Sequence, residues 1–375
     1  MKTFVTVIGA RPQFIKAAPL SNELRKRNRE FLVHTGQHYD DNMSDVFFRE
    51  MGIPSPDRHL NVGSGSHGAQ TAAMLAKIEL VLEEIKPDAV IIYGDTNSTV
   101  AGALAAAKLH IPVAHVEAGL RSFDRRMPEE VNRVVADHLS TWLFTPSEVS
   151  VRQLATEGIT KGVHDVGDIM ADSVRVFSPL ADRQSGVLER LALQPRKYSV
   201  ATIHRAANTD DPARLAGIFE GLRRIPGPVV LPLHPRTKAA VQRSKLEHLL
   251  SDTEAATSDT RRLVVVPPLG YLDMLQLQKN AGVILTDSGG MQKEAYYLGV
   301  PCVTLRDETE WVETVKAGWN HLVGADPARI AAAWEQCRAC ESREWPLLYG
   351  DGRAAGRIVE ILAAKPVCGS SIPHF

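Results

Sequence analysis

Short apolar runs rich in β-branched residues recur along the chain. Each ends in glycine or polar residues and gives way to a helical pattern. Residues 4–8, 89–93, 113–116 and 143–145 form one set, and residues 200–203, 229–233, 263–266, 283–286 and 302–305 a second. Their hydrophobicity is continuous rather than alternating, which suits strands covered on both faces. Between them, Met74, Ile78, Leu82 and Ile85 mark the apolar face of a helix, and residues 100–109 are rich in alanine. Alternating strands and helices imply parallel sheets with right-handed crossovers, hence an α/β fold. The alternation breaks at residues 178–197, which hold Pro179, Gly186 and Pro195 but no buried strand. With 375 residues and about 150 per domain, the chain reads as two doubly wound, Rossmann-like domains. The expected division is 1–172 and 173–354, with the connection near 170–197. Ligands of such sheets bind outside the strand carboxyl ends, here facing a central cleft.

Composition removes several functions. Lysine and arginine number 43 against 44 acidic residues, a net charge of −1, without the basic excess of a nucleic-acid binder. An anionic ligand stays open, because a few local cations and a helix start can hold one. No apolar run approaches the ~18–20 residues that span a bilayer. The first residues lack a cleavage-like small-residue site and read as a buried strand rather than a signal peptide. Four cysteines make no disulfide framework. Cys337 and Cys340 form a C-x2-C without a second ligand pair, so they read as structural rather than zinc-binding. The expected setting is the cytoplasm.

Polar residues gather just beyond the strand ends. Gly9-Ala10-Arg11-Pro12-Gln13-Phe14-Ile15-Lys16 turns from strand to helix without being G-x-G-x-x-G or a P-loop. It presents Arg11 and Lys16, either as anion ligands or as solvated cations; cations at a helix start oppose the dipole and ask for a reason. Asp95 follows the 89–93 strand and by itself reads as a helix cap. Glu117 ends an apolar strand, where a carboxylate must be satisfied. Pro128-Glu129-Glu130 has the form of a helix start. Together Asp95, Glu117 and Glu129 would bring three carboxylates to one sheet rim, a supply for proton transfer at more than one position.

The second half ends its strands in His204-Arg205, His234-Pro235-Arg236 and Asp287-Ser288-Gly289-Gly290. Two glycines at a helix start let backbone N–H groups approach a diphosphate, and Glu294 one turn on could accept from ribose hydroxyls. The plainer alternative is a tight turn with Glu294 as a first-turn acid. His34 and His38 have metal-like spacing but no third ligand, so no metal site is expected. Trp311, Trp319 and Trp334 read as packing.

Taken in order, these blocks resemble the non-hydrolysing UDP-N-acetylglucosamine 2-epimerases, from the first residues to about 360. The resemblance rests on Gly9-Ala10-Arg11-Pro12 with Lys16, Gly94-Asp95-Thr96, the 115–121 string His-Val-Glu-Ala-Gly-Leu-Arg, and Pro128-Glu129-Glu130 with Asn132-Arg133. His204-Arg205, the 286–290 string with Gln292 and Glu294, Arg306-Asp307, Thr309-Glu310 and the 349–352 string Tyr-Gly-Asp-Gly complete it. It implies the glycosyltransferase-B architecture, with a last helix of about 355–375 returning to the first domain, a UDP-sugar as partner, and a homodimer. It also implies acid/base roles for Asp95, Glu117 and Glu129, with His204 near the phosphates or sugar. Arg11, Ser288, Gly289 and Gly290 would hold diphosphate, Glu294 ribose, and Leu269 and Tyr271 uracil. Lys16, Arg133 and Arg306 would line the site.

The C2 hydrogen of a 2-acetamido sugar is not α to a carbonyl, and the chain has no nicotinamide fingerprint, so no cofactor is expected. Elimination of UDP across C1–C2, through a 2-acetamidoglucal, and re-addition is the remaining route; which carboxylate serves which face is open. Two departures bear on substrate. Gln13-Phe14 stands where the family commonly has Glu-Ala, and Trp311 where it has an arginine. These variants, with residues 233–237, look like the branch acting on UDP-2,3-diacetamido-2,3-dideoxy-glucuronate. Against that branch, a cation is lost where a C6 carboxylate would want one. A UDP-sugar glycosyltransferase and a non-catalytic UDP-sugar sensor are further alternatives.

Overall fold

The computed structural model describes residues 1–37, 52, 54–250, 262–339 and 344–364, with the side chains of Arg11 and Arg262 outside that description. The chain forms two compact units. The first comprises Met1–Arg175 and the chain from Tyr349 onward, the second Val176–Leu348.

The first unit holds a seven-stranded sheet in the order β3-β2-β1-β4-β5-β6-β7. Its strands are β1 (Thr3–Ile8), β2 (Arg29–His34), β3 (Arg58–His59), β4 (Ala89–Tyr93), β5 (Val113–Val116), β6 (Trp142–Thr145) and β7 (Val163–Asp165). The second unit repeats the pattern in six strands, β10-β9-β8-β11-β12-β13. They are β8 (Ser199–Thr202), β9 (Pro228–Pro232), β10 (Arg262–Val266), β11 (Val283–Thr286), β12 (Cys302–Thr304) and β13 (Asn320–Leu322). Every pairing is parallel. Both orders are doubly wound and reverse direction once, between β1 and β4 and between β8 and β11.

The expected α/β class and its apolar central strands are present. β4 and β5 are buried along their whole lengths, as are β8 and β11. Four flanking strands were not legible. β2 begins Arg29-Glu30 and so breaks the apolar pattern; its buried Glu30 is satisfied by Thr6 Oγ1 at 2.6 Å, Ser21 Oγ at 2.9 Å and Arg25 Nε at 2.7 Å. β3, β7 and β13 are two or three residues long and partly polar, too short to show a period. Pro179 lies inside the Ile169–Gln184 helix rather than ending it. In the first unit the Ala354–Ala363 helix packs on the Arg11–Leu24 helix, and Asp172 accepts from the Ala354 and Ala355 N–H groups at 2.9 and 3.1 Å.

Candidate active site

In the first unit the rim is built around the β1/β4 reversal. Gln13, 2% exposed, bridges it. Its Oε1 accepts from the Gly9 and Ala10 N–H groups at 2.8 and 3.1 Å, while Nε2 donates to the Tyr93 carbonyl at 2.9 Å and reaches Thr96 and Thr99. Arg11 opens the following helix, but its side chain lies outside the described residues, as do His38 and Cys340. Lys16 turns inward and pairs with the Glu117 carboxylate. This supplies the partner that a carboxylate at the end of β5 requires. It also gives a tertiary reason for a cation in the first turns of a helix.

Glu117 has φ +72, a left-handed conformation that costs an ordinary residue about 1–2 kcal/mol. Its N–H and that of Ala118 both reach the Phe144 carbonyl, at 3.1 and 3.0 Å. The neighbouring Gly94, φ +62, leaves the space the pair needs: a Cβ there would stand 3.3 Å from Glu117 Oε2 and 3.7 Å from Lys16 Nζ.

Asp95 does not cap the Asn97–Lys108 helix; Thr96 does, accepting from the Thr99 N–H. Asp95 instead pairs with Arg133, whose other nitrogen meets Glu130 at 2.9 Å. Glu130 is nearly fully buried and also accepts from Ser122 N, Ser122 Oγ and Phe123 N at 2.9–3.0 Å. It fixes a loop. Glu129, the other first-turn acid of the Pro128–Leu139 helix, is half-buried and takes no hydrogen bond or ion pair among the described residues.

In the second unit the β8/β11 reversal is bridged from the opposite side. Asp287, fully buried, accepts from the N–H groups of His204 and Arg205 at 3.0 Å and from Asn208 Nδ2 at 3.1 Å. It thereby presents both side chains at the end of β8. Burial lowers the pKa of His204, Arg205 and Arg236 lower it further, and Asp287 opposes them. Ser288 caps the Gly289–Tyr297 helix through the Met291 N–H. No bond among the described residues takes up the Gly289 or Gly290 N–H. A Cβ on Gly290 would meet nothing closer than Ser288 Oγ at 3.9 Å, and one on Gly289 would stand 3.4 Å from Trp311 Nε1 and 3.8 Å from Arg205 Nη2.

Glu294 lies one turn further on, with Gln278 donating to it at 2.8 Å. Burial raises its pKa against the hydrogen bonds of Gln278 and Tyr271. Tyr271 is buried edge-on to Phe177, and Leu269 packs partly buried at the start of the same segment. Arg306 is held bidentately by Glu310 at 3.0 and 3.1 Å. Arg306 outweighs the burial of Glu310 and keeps its carboxyl below the usual range. Trp311, 6% exposed, carries Lys293 Nζ 4.0 Å from its ring centroid. A cation absent at position 311 is thus present beside it, from a residue the sequence pattern did not single out.

Sequence reasoning passed over Gln13 as a bridge, Glu130, Asp287 as an organiser, and Lys293. Asp287 had the clearest available signal, an acid directly after a buried strand and before a capped Gly-Gly turn. Among the described residues no three His, Cys, Asp or Glu side chains group to hold a metal ion, and no helix is long and apolar enough to cross a membrane.

Two sheets of one doubly wound order, with carboxylate–cation pairs at one reversal and, at the other, helix-start N–H groups uncommitted among the described residues and close to cations, define a glycosyltransferase-B-like α/β enzyme. Comparison with known proteins narrows the class. The family model for UDP-N-acetylglucosamine 2-epimerase matches residues 22–363. A UDP-N-acetylglucosamine 2-epimerase homolog of Methanococcus maripaludis is 48% identical over 96% of this chain and 98% of its own length. The UDP-2,3-diacetamido-2,3-dideoxy-D-glucuronate 2-epimerase of Pseudomonas aeruginosa is 47% identical over 96% and 99%. The crystal structure of Methanocaldococcus jannaschii UDP-GlcNAc 2-epimerase, in complex with UDP-GlcNAc and UDP, superposes with a TM-score of 0.87 at 42% identity, covering 96% of this chain and 99% of that one. The chain belongs to the UDP-N-acetylglucosamine 2-epimerase family and is an isomerase.

Proposed function

We propose that the protein epimerises UDP-N-acetylglucosamine at C2, giving the manno isomer without a cofactor. The observation that carries the reading is the first rim. A carboxylate at a left-handed strand end is matched by a buried lysine, and a second carboxylate beside it is matched by an arginine. In the forward step a carboxylate takes the C2 proton as the C1–O bond to UDP breaks, and C1=C2 forms. UDP then re-adds to C1 while another carboxylate returns a proton to the opposite face of C2. Asp95, Glu117 and Glu129 are the groups for these transfers. Lys16 and Arg133 line the site and balance their charge.

The departing diphosphate gains negative charge on the β-phosphate oxygen released from C1. Ser288, Gly289 and Gly290 suit it through the helix start, with Arg11, Arg205 and His204 as further donors. Glu294 takes the ribose, Leu269 and Tyr271 the uracil, and Arg306 keeps Glu310 neutralised nearby. A homodimer in a cytoplasmic setting belongs to the same reading, and light scattering measures the assembly. The test of the reaction is proton NMR of the protein with UDP-N-acetylglucosamine in D2O. Manno product carrying deuterium at C2, without added NAD, is expected. Folded protein that binds UDP yet yields neither product nor exchange would falsify the reading.

One observation favours a second substrate. Lys293, 1% exposed, keeps a cation against Trp311, the position whose lost cation counted against a C6 carboxylate, and the Pseudomonas relative acts on such a nucleotide by its name. If the diacetamido-glucuronate nucleotide is the substrate, Lys293→Met lowers its kcat/KM by about tenfold more than that of UDP-N-acetylglucosamine. Equal losses on both would sink this variant of the reading.

A further inference from the structure

A buried ion network lies beneath the first rim, and none of its members has been given a task above. Asp137, on the Pro128–Leu139 helix, is 1% exposed. Its Oδ1 meets His115 Nδ1 at 2.7 Å; its Oδ2 accepts from Arg121 Nη1 at 2.7 Å and from the Gly119 N–H at 3.1 Å. His115 continues through Nε2 to the Gly94 carbonyl at 2.7 Å. Arg121 is fastened on its other side by Glu157, at 2.6 and 2.8 Å. Burial works against the Asp137 charge, but His115 and Arg121 outweigh it and keep the carboxyl below its usual range.

What this network grips is the backbone that carries Asp95 and Glu117. Gly94 directly precedes Asp95. Glu117 and Gly119 are both left-handed, at φ +72 and +78. Gly119 has no room for a side chain, since a Cβ would stand 2.6 Å from the Ser150 carbonyl oxygen. The segment is therefore fixed by packing on one side and by Asp137 on the other. Apolar replacements often match or exceed the stability of a buried ion network, so stability alone is a weak reason to keep this one. Orientation is a better one. A proton taken from one face of a sugar carbon and returned to the other demands two carboxylates held at a set separation.

We infer that Asp137 is a positioning residue for the acid/base rim: through His115 and the Gly119 N–H it fixes the two strand ends that carry Asp95 and Glu117. The inference rests on the epimerase reading. It adds a residue that touches no substrate and acts through two that do.

The test is Asp137→Asn in the full chain. An amide there removes the charge that holds His115 and Arg121 together, and its NH2 either opposes the Arg121 guanidinium and the Gly119 N–H or meets His115 Nδ1 only when that nitrogen carries no proton, so the grip is weakened. Expected is a kcat reduced about 30–100-fold, with KM and UDP affinity within about threefold of wild type. On a Glu117→Gln background the same substitution should cost at least about threefold less than in wild type, because one of the two groups it positions is already disabled. An equal loss in both backgrounds, as from a smaller active fraction, overturns the inference. A crystal structure of Asp137→Asn gives a readout independent of activity. The inference expects the Glu117 carboxylate displaced from Lys16 or the Asp95 carboxylate displaced from Arg133 in an otherwise unchanged fold, and finding both pairs unmoved overturns it. Should Asp137→Asn fail to fold, His115→Leu cuts the link to Gly94 and is read by displacement of the Asp95 carboxylate from Arg133 and on an Asp95→Asn background. Wild-type protein without C2 exchange refutes the epimerase reading instead, and the crystallographic arm still decides the positioning role.

Discussion

The two sheets share one strand order and differ where that order reverses. At the β1/β4 reversal two backbone donors are already used, since Gln13 accepts from the Gly9 and Ala10 N–H groups, and Pro12 in the first turn has no N–H to offer. What that rim presents is charge in pairs, Lys16 with Glu117 and Arg133 with Asp95. At the β8/β11 reversal the bridge comes from the strand side. Asp287 takes the N–H groups of His204 and Arg205, and the helix-start N–H groups of Gly289 and Gly290 stay uncommitted among the described residues. One topology therefore yields a rim suited to moving protons and a rim suited to holding an anion. The difference lies in which side chain closes the gap.

The contrast breaks most visibly at Gly290. A side chain there enters open space without disturbing the backbone, so Gly290→Val should fold normally and lose about 100-fold or more in UDP affinity by calorimetry. Unchanged affinity would remove the helix start as the anion site. Next in size, Asp95→Asn should slow turnover by about 100-fold. UDP affinity should stay within twofold, as read by steady-state kinetics beside the same calorimetry. Equal damage to both would mean the two rims do not divide the work. The Gln13 bridge is tested by stability: Gln13→Leu strands the Gly9 and Ala10 donors, while the Tyr93 carbonyl keeps Thr99 Oγ1 at 2.6 Å. Denaturant unfolding should show a loss of about 1–3 kcal/mol, and a neutral result would make the bridge ornamental.

The smallest effect is on pH. The folded protein holds His204 below its unfolded value of about 6.5, mainly by burial. The unfolded chain therefore binds a proton that the folded one resists as pH falls through that value, and stability drops toward acid. His204→Gln should flatten the decline between about pH 7 and pH 5. An unaltered slope would show that the histidine titrates freely.

Much of this was legible in the sequence because it is local. Continuous apolar runs gave the central strands, Pro128 the start of its helix and Gly289-Gly290 the start of another. The flanking strands escaped because three are too short for a period and β2 hides a buried, hydrogen-bonded Glu30. The rim residues were named as types, but their partners were not. Lys16 and Glu117 are 101 positions apart, and no spacing rule joins them. The left-handed backbone at Glu117 left no mark either, since glutamate is not a residue that announces it. Lys293 and Trp311 are likewise joined only by the fold.

The division of labour is tested most directly by one paired measurement on Glu117→Gln: C2 exchange of UDP-N-acetylglucosamine in D2O, and UDP affinity on the same preparation. The account predicts exchange slowed by at least about 100-fold with UDP bound as tightly as by wild type. Exchange at the wild-type rate, or a UDP affinity that falls in step with exchange, would contradict it.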